Sequence, residues 1–579
     1  MHYTSPAVYK HISQQTNDPI VERKVCRISW TKFAIYQSDL DFYRKISPSF
    51  VGTIFQIPTP TLCPEERKRR KLLFRNERKL YKRKCDATGE TIISIYSPDK
   101  IYKVYQQNVW RSDDRDPLMY GMSYDTNTTF TEQFAALQRD VPRLCLTNRN
   151  AHNSEYCHQT DWAKDSYLVF GSKNVEDSWY SYRVVDSDHV FDSSFANQSS
   201  TIYDCVDVDE SHDLLYSQSC KNCVTSILMH NCENCTHCFW CTNLFGKKYH
   251  IFNIEYTKDM YFRKATKLIS TYSLGELQDM LPIKKVSSLN VFGSEQTLWH
   301  EIYNSKNIVH SHTIYDSENI RYSDDLYNWF SDTYDCYSWY WPCTRSYESF
   351  SFGVWWNSNL FVMNCRPTNN NIYTDNCYNC SNCFACIGLR DKQYCIFNKQ
   401  YTKEECEKTV AKIITHMQET WEWGEFFHPS LAPFGYNESN AIDHFPLSKD
   451  ETISRWYTRQ DNSYDSVIPQ DVQTLTGDDI PSDPHMVDDS ILKKILICET
   501  SDRPYRIIKQ ELDFYRKHNL PLPRKHPDVR HQHRLNQKPG RDLHLRTCDN
   551  TWEKILSVYP QDVEFEVYSE EAYRKNIYG

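Results

Sequence analysis

The 579-residue chain carries 41 Tyr, 15 Trp and only 14 Gly, which excludes collagen-like and low-complexity architectures and allows several domains of ~150 residues. Its net charge of −9 is spread unevenly, so the mean says little about partners. No apolar run approaches the ~18 residues of a membrane-spanning helix, and the opening residues lack the apolar core of a secretion signal. An intracellular, cytoplasmic location is therefore expected, with the 23 cysteines as thiols or metal ligands rather than disulfides.

Residues 1–23 form a polar arm, and residues 24–112 a first module. Within it the pattern predicts a strand from Lys32 to Ile35, a short helix from Ser38 to Lys45, and a helix entered at Cys63-Pro64. Pro64 at the first helical position, followed by Glu65 and Glu66, suits a helix start and its dipole. The span Arg67 to Lys84 then holds eleven Lys or Arg against Glu77 alone. These are Arg67, Lys68, Arg69, Arg70, Lys71, Arg75, Arg78, Lys79, Lys82, Arg83 and Lys84. Read as one helix with Leu72, Leu73, Leu80 and Tyr81 as its buried stripe, this density is an electrostatic footprint for phosphates, with nucleic acid or a nucleic-acid-containing assembly as partner. The competing reading is a solvated helix with acidic partners on neighbouring modules.

The middle of the chain is duplicated at a single offset of 145. CENCTHCFWCTNLFGKKYHIFNIEYTK, from Cys232, returns as CYNCSNCFACIGLRDKQYCIFNKQYTK, from Cys377. A first half (113–268), a connector (269–294) and a second half (295–417) follow from this match. Clusters rich in Ser, Asn and Asp recur every 10–12 residues between short aromatic or β-branched runs, the rhythm of a β-solenoid or similar all-β array. Each half ends in a helix, the second with the capping box Thr402–Glu405. An aromatic Pro/Gly segment (418–458) and an acidic linker (459–490) lead to a last module, 491–579, that copies 24–112. Leu40–Lys45 returns as Leu512–Lys517 at offset 472; after a nine-residue deletion, Cys63-Pro64 matches His526-Pro527 and Cys85 matches Cys548 at offset 463. The copy is also basic, at Arg524, Lys525, Arg530 and Arg534.

Two cysteine sets are metal candidates. Cys26, Cys63 and Cys85 correspond to Cys498, His526 and Cys548, and Cys exchanged for His is a substitution that zinc tolerates. Three ligands do not complete a structural zinc site, however. The runs Cys232, Cys235, Cys238, Cys241 and Cys377, Cys380, Cys383, Cys386 have x2 spacing throughout, which suits a thiolate-bound metal or an iron–sulfur cluster. The x2 before the last Cys departs from a ferredoxin run, and Cys, Ser and Asn interchange between the repeats. The preferred reading is small residues filling tight solenoid corners, with no cluster. Phosphate-cradling glycine loops, HExxH and GxSxG are absent from the sequence, and the Asp pairs 113/114, 207/209 and 324/325 carry little weight as catalytic carboxylates.

The runs Cys63 to Tyr105, the two cysteine repeats, and EWGEFFHPSLAPFGYNE from Glu422 resemble a group of uncharacterised proteins predicted from genomes of uncultivated small-genome bacteria, with relatives in large DNA viruses. The resemblance covers nearly the whole chain. It implies zinc-ribbon-like ends around a cysteine-rich repeat body and, through its viral members, a virion or packaging role; it implies no activity. Relatives have CxxC pairs in the end modules, whereas Ser29 and Glu66 stand here at the partner positions of Cys26 and Cys63.

The expected fold is thus mainly β with short helices: a duplicated β-solenoid-like body flanked by two zinc-ribbon-like α+β end modules. The expected function is that of a non-enzymatic binding or structural protein contacting nucleic acid through its basic ends. A carbohydrate-active β-solenoid enzyme or glycan-binding protein, with exposed Trp and Tyr as stacking platforms, is the alternative.

Overall fold

Every third residue of the repeat body turns a corner. From Gln159 through Trp162, Asp165, Leu168 and onward to Asn243, the third residues have φ near +50°, and the same holds from Phe361 to Tyr394 except at Pro367, whose ring fixes a negative φ. Asn and Asp recur at these corners because their short polar side chains tolerate the left-handed region. Four such corners close a square coil of twelve residues, and successive coils pair in parallel at that spacing, as His158 with Phe170 and Phe170 with Tyr182. Among the described residues of the second half some turns lengthen to thirteen, pairing Thr333 with Ser346 and Cys343 with Trp356. The structure, a computed structural model, describes residues 3–272, 274–283, 285–289, 291–292, 302–303, 314–315, 321–322, 333–339, 343–352, 356–462, 468–481, 483–540 and 542–577. Most of the expected connector's end and the start of the second half, including Asp324 and Asp325, lie outside the described residues.

The residue two before each corner points inward. Its neighbours along the coil are three away, so the interior admits small side chains: Ser178, Ser181, Val184, Ser187, Val190 and Ser193 in one region, Cys232, Cys235, Cys238 and Cys241 in another. Ser178 shows the wiring. Its Oγ donates to the Glu176 carbonyl (2.8 Å) and accepts from the Val190 amide one coil on (2.9 Å). Cys205 does the same with sulfur, donating to the Tyr203 carbonyl (3.3 Å) and accepting from the Ser217 amide (3.4 Å).

The chain forms two compact units. One comprises residues 1–146, 286–460 and 540–573, so the first module, the second solenoid half and the aromatic segment share a unit; the other comprises 147–285, 461–539 and 574–579. The last module, expected as one piece over 491–579, is divided between them. Part of the segment expected as a free acidic linker is paired and packed: Thr474–Thr476 pairs with Ile495–Ile497, and Leu475, Ile480 and Val487 are buried.

The first module follows its sequence up to Leu72. A strand Lys32–Tyr36 leads into the helix Gln37–Ile46, and a second helix runs from Pro64 to Leu72. The single helix expected through Lys84 does not form. Asn76 accepts from the Lys79 amide (2.9 Å) and donates to the carbonyls of Lys79 and Ile95, fixing a turn, and Tyr81–Lys84 becomes a strand paired with Thr91–Ser94. The helices closing the halves form as expected, at Lys258–Thr271 and Lys403–Glu419, the second with the Thr402–Glu405 capping box. Among the described residues, no helix is long and apolar enough to cross a membrane.

Candidate functional site

The charges of the basic helix point inward. Arg67, Arg69, Arg70, Lys71 and Arg75 are buried. A phosphate-binding face needs these groups in solvent; here they meet carboxylates at the corners of the second solenoid. Arg67 Nε donates to Asp335 Oδ2 (3.0 Å), and Lys71 reaches the other carboxylate oxygen of Asp335 (3.5 Å). Arg70 forks across Glu348 (2.8 and 2.7 Å) and donates its other nitrogen to Glu425 (2.8 Å). Arg69 pairs with Glu66 (2.8 Å), and Arg75 with Glu77 while lying over the Tyr337 ring. Arg83 is buried against Asp86 and the Ser97 carbonyl. Lys68, Arg78 and Lys79 are half-buried, and of the eleven only Lys82 and Lys84 are exposed.

The last module repeats this arrangement against the first solenoid. Arg530 and Arg534, the counterparts of Arg67 and Lys71 at offset 463, reach Asp192, and Arg534 also lies 3.4 Å from Asp204. Counting corners back from the matched Phe252 and Phe397, Asp192 corresponds to Asp335 and Asp204 to Glu348, after allowance for the longer turns. Aromatic groups repeat too. Arg67 lies over Tyr322 (4.8 Å) and Arg530 over the matched Tyr180 (4.9 Å). Phe42 packs on Tyr334 and Tyr347, and its counterpart Phe514 on Phe191 and Tyr203. A further acid completes each set: Asp39, 3.4 Å from the Tyr322 hydroxyl, and Glu511, 3.1 Å from that of Tyr180.

Burial sets the titration of these acids. It pushes Asp39 up to about 6 against the pull of Arg321, and Glu511 up to about 7 against that of Arg530. It also raises Glu348 and Asp204, with Arg70 and Arg534 opposing. Glu425 goes the other way: despite burial, Arg70 and Arg27 hold it down at about 2. Of the remaining basic candidates, Arg524 pairs with Asp478 (3.0 Å), and Lys525 is exposed.

The cysteine candidates fall into two geometries. Those of the two runs, with Cys220 and Cys223, are inward residues of the coils, their thiols directed to backbone carbonyls, as Cys235 to Glu233 (3.3 Å) and Cys386 to Phe384 (3.3 Å). The x2 spacing is therefore the corner period of the coil. Cys26, Cys85, Cys498 and Cys548 each open the same six-residue turn. The amide of the fifth residue, Trp30, Gly89, Asp502 or Trp552, donates to the cysteine carbonyl at 2.8–3.0 Å. Cys63 joins Cys26: a hydrogen bond from Cys63 lowers Cys26 to about 4, and Ser29 Oγ lies 3.7 Å from Cys63 Sγ. Cys85 stands apart in its own hairpin, where the Gln106 amide donates to its sulfur (3.3 Å). His526 spends its Nδ1 on capping the helix Pro527–Gln537, accepting from the Asp528 amide (3.0 Å), while its own amide helps lower Cys498 to about 7 against burial. Cys548 accepts from the Ser569 amide (3.3 Å) and belongs to the other unit. Among the described residues no three His, Cys, Asp or Glu side chains are grouped to hold a metal ion, and the described cysteines are buried free thiols.

Reasoning from sequence missed the buried acids Asp39, Asp192, Asp204, Asp335, Glu348 and Glu511. Aligning the two halves corner by corner places the solenoid four in matched pairs, a signal that the fixed offset of 145 conceals. Asp113 pairs with Arg390 and Asp209 with Lys221. No family model matches this chain, and no curated protein matches it either.

Proposed function

We propose that this protein is a non-enzymatic binding scaffold in which each end module serves first to grip a square β-solenoid. One observation carries this reading: the same buried set of cations, carboxylates and rings recurs in both copies, from Arg67, Asp335 and Tyr322 to Arg530, Asp192 and Tyr180. Charges committed to such contacts are unavailable to a ligand, because a buried cation cannot leave its carboxylate without a large desolvation cost. The four matching cysteine turns support a ribbon-like origin for the end modules, in which tertiary packing does the work that metal does in a zinc ribbon.

Nucleic acid remains the partner in this reading, with the contact narrowed to the two exposed members of the basic run and extended to the first hairpin. Lys82 and Lys84 alternate with buried Arg83 on an exposed strand. Arg23 and Lys32 are exposed on the first hairpin, whose turn presents Trp30, 78% exposed, for stacking on unpaired bases. The test is filter binding of the full chain to single- and double-stranded probes across a salt series. Reversal of Lys82 and Lys84 to Glu lowers the salt slope by roughly one to two units, and Trp30→Ala weakens the single-stranded probe selectively. Absence of wild-type binding to either probe at ~50 mM salt overturns the nucleic-acid reading.

A further inference from the structure

Both solenoid halves end in the same hairpin, and in one of them the turn is covered. Lys248–Ile251 pairs with Ile254–Glu255 in the first half, and Cys395–Ile396 with Lys399–Gln400 in the second. At offset 145, Phe252, Asn253 and Ile254 correspond to Phe397, Asn398 and Lys399. Phe397 is fully buried, whereas Phe252 is 42% and Ile254 57% exposed.

An extended segment of the same unit, from Pro117 to Tyr124, covers the second hairpin. The Met122 amide donates to the Phe397 carbonyl (3.0 Å), and Asn398 Nδ2 donates to the Pro117 carbonyl (3.2 Å). Gly121 lies so close that a Cβ there would stand 2.8 Å from the Asn398 carbonyl oxygen. Tyr120, Met122 and Tyr124, spaced by two as in a strand, pack on the core, and the Tyr124 ring lies 5.7 Å from that of Phe397. Lys399 donates to Ser123 Oγ (2.9 Å).

The first half keeps the anchors of this contact and changes one neighbour. Asn253 holds the pose of Asn398: its side chain accepts from the Thr242 amide (2.9 Å) and donates to the Thr242 carbonyl (2.8 Å), as Asn398 does with Ile387. Trp240, in the place of Ala385, meets Phe252 edge-on at 4.6 Å and leaves the rest of that ring in solvent. Ile254 stands where Lys399 reaches Ser123, so a matching cover has an apolar side chain at that point.

We propose that the closing hairpin of the first half docks an extended peptide segment of a partner protein. The segment follows the Pro117–Tyr124 pattern: an amide for the Phe252 carbonyl, a glycine against Asn253, an aromatic ring on Phe252, and an apolar residue in the place of Ser123. Main-chain hydrogen bonds supply affinity in such a contact, and alternate side chains supply specificity.

The test is fluorescence anisotropy of the full chain with labelled peptides spanning residues 115–126. The peptide carrying Ser123→Leu is expected to bind with a dissociation constant below roughly 0.5 mM, at least ~threefold tighter than the unsubstituted peptide. Adding Gly121→Val weakens it at least ~tenfold, because the close approach to Asn253 is lost. In the protein, Phe252→Ala weakens the Ser123→Leu peptide at least ~fivefold. Ile254→Lys reverses the preference in favour of the unsubstituted peptide; it alters an exposed residue and keeps the test readable if Phe252→Ala misfolds. Absence of binding at roughly 1 mM, affinity unchanged by both protein variants, or a wild-type preference for the unsubstituted peptide overturns the proposal. The last outcome would assign this face to the matching segment of a second copy of the chain.

Discussion

Arg70 Nη2 donates to both carboxylate oxygens of Glu348, 278 residues away, at 2.8 and 2.7 Å, with both side chains buried. The same carboxylate accepts from the Phe426 amide (2.8 Å), so helix, solenoid corner and aromatic segment converge on one acid. A buried pair of this kind specifies geometry, because either charge alone is costly to bury.

The copy in the other unit gives a pH signature. Glu511 has a folded pKa of about 7, above the ~4.3 of an unfolded glutamate. Its folded form holds a proton that the unfolded chain has already lost between those values, so its contribution to stability is present below pH ~4.3 and falls as pH rises to ~7. Relative to Glu511→Gln, wild type is expected to lose on the order of 3 kcal/mol across that window and to change little above it. Denaturant midpoints from pH 4 to 8 check this; a difference that stays flat contradicts it.

Inward thiols are expected to behave as serine does at these positions. Cys223→Ser keeps the donor to the Lys221 carbonyl and costs under about 1 kcal/mol, whereas Cys223→Leu overfills the coil and costs about 1–3 kcal/mol. Asn234→Val, at a corner with φ of 56°, places a β-branched residue in the left-handed region and costs about 1–2 kcal/mol. Thermal melts of the three variants give the order; Cys223→Ser as damaging as Cys223→Leu would contradict the inward-slot geometry.

Gly424 permits the aromatic segment to lie against the first module. It adopts φ of +87°, and a Cβ there would stand 2.3 Å from Pro58 Cδ. Next to it, Trp423 Nε1 donates to the Gln56 carbonyl (3.0 Å). Gly424→Ala is expected to cost more than about 2 kcal/mol and to shift Trp423 fluorescence to the red. An unchanged melting temperature would contradict the close approach.

The duplication, the solenoid and the closing helices were legible because they leave marks at fixed spacing: the offset of 145, the Ser/Asn/Asp corners, and the Thr402–Glu405 cap. The cysteine runs suggest small residues filling solenoid corners, whereas the thiols lie inward, two residues before each corner, and share the corners' period without occupying them. Inward positions select for small size rather than hydrophobicity, so Ser, Cys and Val mix there and no apolar pattern emerges. The basic helix misled for a different reason. Local sequence counts eleven cations, while the acids that bury Arg67 and Arg70 lie 268 and 278 residues away and reach them only through the coil. The helix's end was also hidden, since one Asn76 side chain sets the turn that halts it.

The most direct test is a double-mutant cycle on Arg70 and Glu348. Arg70→Met and Glu348→Gln are each expected to destabilise the unit by about 3–5 kcal/mol in denaturant unfolding, because each strands a buried partner. The double variant, with both charges gone, is expected to recover at least about 2 kcal/mol relative to the sum of the single changes. Single variants within about 0.5 kcal/mol of wild type, or costs that simply add, would show that these charges do not meet in the folded chain and would contradict a buried grip between end module and solenoid.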